Sequence, residues 1–186
     1  THGSGAFIGY EGGPPNKISN SYTDFLASWT ALYSVMAALL YRTRTGKGLW
    51  IDLAMYQVGT AFMGEGLLDY AFNGRANRWM GNRHDVHAPH NTYPCKGHDR
   101  WVTIAVTDDS EWRALCAVID SPELAEDVRF IDGPSRLKNQ DALDALISKW
   151  TTPLDQYEVA HRLQAAGVPA GPVLDSRDLF TDPHLM

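Results

Sequence analysis

The sequence predicts an α/β and α+β protein: a first part ordered helix, strand, helix, then a small α+β part built around a β-hairpin. Three observations carry this. Residues 24–43 form a long apolar run at helical length, LWIDLAMY follows it as a short strand pattern, and NTYPC and WVTIAV flank a polar KGHDR tip.

The first helix, DFLASWTALYSVMAALLYRT, is apolar nearly all round, which predicts a long interior helix. Ala27, Ala31, Ala37 and Ala38 give it small faces that a neighbour can approach closely. It ends at RTRTGKG, where Gly46 and Gly48 suit a left-handed stop and Arg42, Arg44 and Lys47 suit the negative helix end. LWIDLAMY is read as a strand and Gln57–Phe72 as a second helix. Residues 1–72 are thus one part. The composition then shifts over NGRANRWMGNRHDVHAPHN, so residues 73–90 are read as a linker and 91–186 as the small α+β domain.

Within that domain NTYPC, KGHDR and WVTIAV predict a hairpin. TDDSEW places Asp108 or Asp109 as the cap of a helix running through WRALCAVI. Further helices are expected around Gln140–Trp150 and Gln156–Ala166, with Gly167 as the stop before VPAGPV.

The 186 residues are 44% hydrophobic and 11% aromatic, enough for packed cores, and the net charge of −6 argues against nucleic acid or an anionic membrane as partner. The run Phe25–Leu40 is broken by Ser28, Thr30 and Ser34 and is shorter than the roughly 20 residues of a membrane span. The N-terminal residues show no secretory pattern, and two cysteines, Cys95 and Cys116, form no framework or zinc spacing. A reduced, cytoplasmic protein is the expectation. The chain begins without methionine inside what reads as a loop, which suggests a piece of a longer protein.

His84, His87 and His90 recur at three-residue spacing, but Pro89 prevents a regular helix through them and no cysteine or carboxylate set accompanies them. They are read as a polar loop, with no metal. TGKG at Thr45–Gly48 follows a helix and precedes a strand, the reverse of a phosphate loop, and is read as a turn. Asp24 has two compatible readings. With Ser21 and Thr23 it is a good N-cap type before an apolar run, and a carboxylate at a positive helix end is also a competent acyl nucleophile.

The GGPP turn, the aspartate nine residues beyond it, the alanine-rich helix, TGKG and WIDLAMYQ together resemble the family III CoA-transferases, a group that includes formyl-CoA and carnitine CoA-transferases and α-methylacyl-CoA racemases. GNRHDVHAPHNTY, KGHDRWV, RLKN, AGVPAGPV and DPHL extend the resemblance over nearly the whole chain. The resemblance implies that residues 1–72 are the C-terminal part of a Rossmann-like large domain and that the chain is the middle of a longer one. It implies Asp24 as catalytic nucleophile, passing CoA from an acyl-CoA to a carboxylic acid through a mixed anhydride and an aspartyl-CoA thioester. Coenzyme A is then substrate and product, with no tightly bound cofactor. Arg75, Arg78 and Arg83, with Lys96 in addition, are the cations available to its phosphates. The resemblance also implies a homodimer, interlocked in the family. Two alternatives stay open: an acyl-CoA racemase in which Asp24 moves an α-proton, and a segment that folds and associates without catalysis. Leu49 stands after TGKG where the family has glutamine, and the nearest segment to its glycine-rich loop is Gly81 with Asn82.

Overall fold

The computed structural model describes residues 9, 10, 13, 22–76, 79–182, 184 and 185. It separates into two compact units, Thr1–Gly81 and Asn82–Met186.

In the first unit, helix α1 spans Tyr22–Thr45, α2 Met55–Ala61 and α3 Gly64–Asn73. Alanine and leucine favour α1 throughout. Its hydroxyls turn inward, with Thr30 Oγ1 donating to the Leu26 carbonyl and Ser34 Oγ to that of Thr30, so polar side chains do not break the run. Gly46 stops it at φ +71°, its N–H donating to the Arg42 carbonyl at 2.8 Å.

Four expectations for this unit change. The helix predicted as interior is exposed along most of its length: Ala27 is its one buried residue, while Trp29 and Tyr33 are 69% and 76% exposed. A helix apolar on every side needs neighbours on every side, and among the described elements α1 packs chiefly on α2. At 24 residues α1 is also long and apolar enough to cross a membrane, so length does not exclude a span. The segment LWIDLAMY forms no strand; residues 47–54 are coil and α2 starts at Met55. No described strand lies in this unit to pair with it, and a lone strand has no ladder to hold it. The single helix expected over Gln57–Phe72 is two, parted at Phe62 and Met63 beside Gly64.

The second unit is a three-stranded antiparallel sheet covered by helices. Strands β1 (His90–Pro94) and β2 (Trp101–Ala105) pair in the register Thr92 to Thr103, and β3 (Ala170–Pro172) pairs with the other edge of β2. The hairpin tip turns through Gly97 and Asp99, both at positive φ. Along β2 the side chains alternate, Val102 and Ile104 buried and Trp101 and Thr103 outward. Helices α4 (Asp109–Val118), α5 (Gly133–Lys138), α6 (Gln140–Thr151) and α7 (Gln156–Ala165) cover the inner face, and the short α8 (Ser176–Leu179) follows β3. The core joins Val102, Ile104, Trp112, Phe130, Ile147 and Leu163.

Asp108 caps α4, accepting from the N–H groups of Ser110 and Glu111. Gly167 stops α7 at φ +81°, and Val168 N–H reaches back to the Leu163 carbonyl. Buried Arg136, in the RLKN segment, donates to the carbonyls of Ala88 and Phe130 and to Asp109. Its guanidinium also lies over the Trp112 ring. That one side chain ties the cis Ala88–Pro89 loop to α4 and α5.

Candidate active site around Asp24

Asp24 is the third residue of α1, inside its first turn. The capping expectation is corrected accordingly: Asp24 and Thr23 lie within the helix rather than at the flanking cap position, and Ser21 lies outside the described residues. The GGPP turn also falls outside them except for Gly13, whose N–H donates to the Tyr10 carbonyl at 2.9 Å. Asp24 is exposed. The first turn of a helix presents N–H groups without intrahelical acceptors, so a carboxylate there sits at the positive end of the helix dipole. Such a group is accessible and held on a regular element, two conditions a carboxylate nucleophile requires.

Helix α2 seats against this turn. Gly59 lies so close that a Cβ there would be 3.1 Å from Thr23 Cγ2. Ala27, one turn further along the same face as Thr23, is 7% exposed. The small residues read from sequence as an approach face thus include the one buried residue of α1.

Two of the expected phosphate-binding arginines have other partners. Arg75 follows α3 and donates from Nε and Nη2 to Asp69, at 3.0 and 2.6 Å. The Asn73 amide and Arg75 together hold the Asp69 carboxyl below its usual range. Arg78 lies outside the described residues. Arg83 is in the second unit and donates from Nη2 to Asp141 at 2.6 Å and to Asp144 at 2.7 Å. Partial burial works to lower its pKa, but the two carboxylates win and raise it. Lys96, exposed at the hairpin, holds the Leu154 carbonyl through its backbone N–H.

Asp144 is the centre of a network that sequence reasoning missed. It accepts from Arg83 Nε and Nη2, from Asn91 Nδ2 at 3.0 Å and from the hydroxyl of buried Tyr93 at 2.7 Å. Burial first, and the Asp144 charge second, drive the Tyr93 phenol far above its ordinary pKa. The partners lie 51 to 61 residues apart in the chain, so no local spacing announces them.

The three histidines do cluster, with ring centroids 4.8 Å apart for His84 and His87 and 5.3 Å for His84 and His90. His84 Nδ1 accepts from Val86 N–H, and His90 Nδ1 pairs with the Asn82 carbonyl at 2.8 Å. Among the described residues, no group of three or more His, Cys, Asp or Glu side chains is arranged to hold a metal ion.

A model of the family described as CoA-transferase family III matches residues 2–186. The chain belongs to that family. This CoA-transferase family chain is 32% identical over 177 residues to a succinyl-CoA:mesaconate CoA-transferase of Haloarcula marismortui, covering 95% of its own length and 43% of the relative's. To an acetyl-CoA:oxalate CoA-transferase of Acetobacter aceti it is 36% identical over 171 residues, covering 90% and 43%. Its fold is similar to that of a CAIB/BAIF family protein from Brucella suis, with a TM-score of 0.86 and 30% identity over 99% of this chain and 49% of that one. The family III chain therefore spans less than half the length of the curated relatives it matches.

Proposed function

We propose that the full-length protein moves CoA from an acyl-CoA donor to a carboxylic acid acceptor, with Asp24 as nucleophile. The observation that carries this is Asp24 itself: an exposed carboxylate in the first turn of α1 in a family III CoA-transferase chain.

The chemistry follows from an exchange between carboxylate and thiolate. An Asp24 oxygen attacks the thioester carbonyl, the C–S bond breaks, and CoA leaves as thiolate with a mixed anhydride on Asp24. The thiolate then attacks the Asp24 acyl carbon, releasing the donor as carboxylate and leaving an aspartyl-CoA thioester. An acceptor carboxylate attacks that thioester to form a second anhydride, and the expelled thiolate takes the acceptor's acyl carbon, restoring Asp24. No proton is gained or lost, and each step exchanges one C–S for one C–O bond or the reverse. Covalent catalysis of this kind divides one difficult transfer into easier ones. Each tetrahedral oxyanion needs a donor, and the backbone N–H groups of the first turn of α1, which have no intrahelical acceptor, are suitable ones.

The acceptor is a short dicarboxylic acid, a reading supported by the mesaconate and oxalate transferases named above. Coenzyme A is substrate and product, with no tightly bound cofactor. Arg75, Arg78 and Arg83 are the cations for its phosphates; Arg75, at 71% exposure, is better placed to exchange Asp69 for a phosphate than Arg83, which two carboxylates hold. The large-domain part is residues 1–72, with the linker at 73–90 and the small domain at 91–186. The protein is cytoplasmic and homodimeric, and the apolar sides of α1 are covered by the rest of the full-length protein rather than by lipid.

Acyl exchange measured with succinyl-CoA and a panel of labelled dicarboxylic acids tests the reading. Asp24→Ala abolishes exchange on this account. Full exchange in that variant removes Asp24 from the chemistry. Deuterium uptake at the α-carbon without CoA exchange assigns the protein to racemisation, and no turnover of either kind in the full-length protein makes it an association module.

A further inference from the structure

We propose that Gly59 is a positioning residue for Asp24: its missing side chain lets α2 seat against Thr23 and so sets where the first turn of α1 holds the carboxylate. This rests on Asp24 as the nucleophile.

Gly59 stands inside α2, where glycine costs about 1 kcal/mol relative to alanine. Its backbone does not require glycine, because the positive-φ residues of the chain do not include it. One ordinary reason for a helical glycine, a left-handed conformation, is therefore missing. What remains is space. A Cβ at Gly59 would meet Thr23 Cγ2 at 3.1 Å, closer than ordinary van der Waals contact, whereas a Cβ at Gly64, at the start of α3, would meet nothing within 4 Å. The contact falls on the residue directly before Asp24, and Ala27 continues the close approach one turn on.

The consequence is geometric. A methyl at position 59 pushes either the Thr23 side chain or the whole first turn by a few tenths of an ångström. Nucleophilic attack needs reacting atoms about 3–3.5 Å apart and aligned, and a displacement of about 1 Å can cost on the order of 100-fold. A smaller displacement costs proportionately less. Substrate held by other residues keeps its affinity, so the loss falls on turnover.

The test is a double-substitution cycle in the full-length protein, with acyl exchange from succinyl-CoA to a labelled acid as assay. Gly59→Ala lowers kcat about 3- to 10-fold with the donor KM unchanged, while thermal stability stays level or rises through helix propensity. Thr23→Ser, which removes Cγ2 and keeps the hydroxyl, is close to the unsubstituted protein. Combining the two restores kcat to within about twofold, as expected for residues in direct contact. An unchanged kcat in Gly59→Ala, or a double variant as slow as Gly59→Ala alone, overturns the proposal. Gly59→Val probes the same contact with more bulk, and the alanine variant carries the test where valine unfolds the protein.

Hydroxylamine trapping after mixing with succinyl-CoA separates the two levels. Absence of hydroxamate at Asp24 in the unsubstituted protein overturns the nucleophile and the positioning together. Hydroxamate at Asp24 that forms equally fast with glycine or alanine at position 59 overturns the positioning alone.

Discussion

Replacing Asp144 by alanine removes the common acceptor of Arg83, Asn91 and Tyr93, and the cost can be built up from the three. Tyr93 is 1% exposed, so its hydroxyl is left buried without an acceptor, at about 1–3 kcal/mol. Arg83 is one-third exposed and keeps Asp141, so its share is about 0–1 kcal/mol. The Asn91 amide is partly exposed and is rehydrated. The sum is about 1–4 kcal/mol. Equilibrium urea unfolding of the 186-residue chain at pH 7 measures it, with amide exchange of the β1 and β2 backbone as the local probe. In a Tyr93→Phe background no orphaned hydroxyl exists, and Asp144→Ala then costs only about 0–1 kcal/mol. Equal costs in the two backgrounds refute the reasoning, because they place the loss outside the buried hydrogen bond.

Two further outcomes follow from the second unit. Arg136→Met keeps most of the buried volume but leaves the Ala88 and Phe130 carbonyls without their donor, so it destabilises this unit by about 2–5 kcal/mol in the same unfolding assay. Burial, helped by the Asp155 charge, pushes the Cys95 thiol up to about 11. Burial against an opposing Arg136 charge pushes the Cys116 thiol up to about 12. The unfolded chain loses these protons first, from about pH 9, so the stability they contribute is complete below pH 9 and is lost as pH rises toward 11 and 12. Unfolding midpoints between pH 8 and 11 fall above pH 9, and neither thiol reacts with a thiol reagent in the folded protein at pH 8.

The second unit was legible because its signals are local. Helices α6 and α7 carry their own periodicity, Asp108 and Gly167 mark ends, and the KGHDR tip sits between two β-rich runs. Strand β3 was not legible: AGP holds glycine and proline, and only the free edge of β2 makes it a strand. In the first unit the existence of α1 was readable, since apolar helix formers suffice for that. Its burial was not, because burial belongs to the neighbours. The same distinction governs LWIDLAMY, where strand propensity finds no ladder among the described residues. Asp24 could be singled out from its motif context, yet the glycine pressed against Thr23 belongs to a helix more than thirty residues further along.

The nucleophile is tested most directly by intact-peptide mass spectrometry of the full-length protein, quenched in acid within seconds of mixing with succinyl-CoA. The account predicts a CoA adduct on the peptide containing Asp24, lost on adding the acceptor acid and never formed in Asp24→Ala. Exchange that proceeds with the adduct on another residue, or with no adduct, contradicts it.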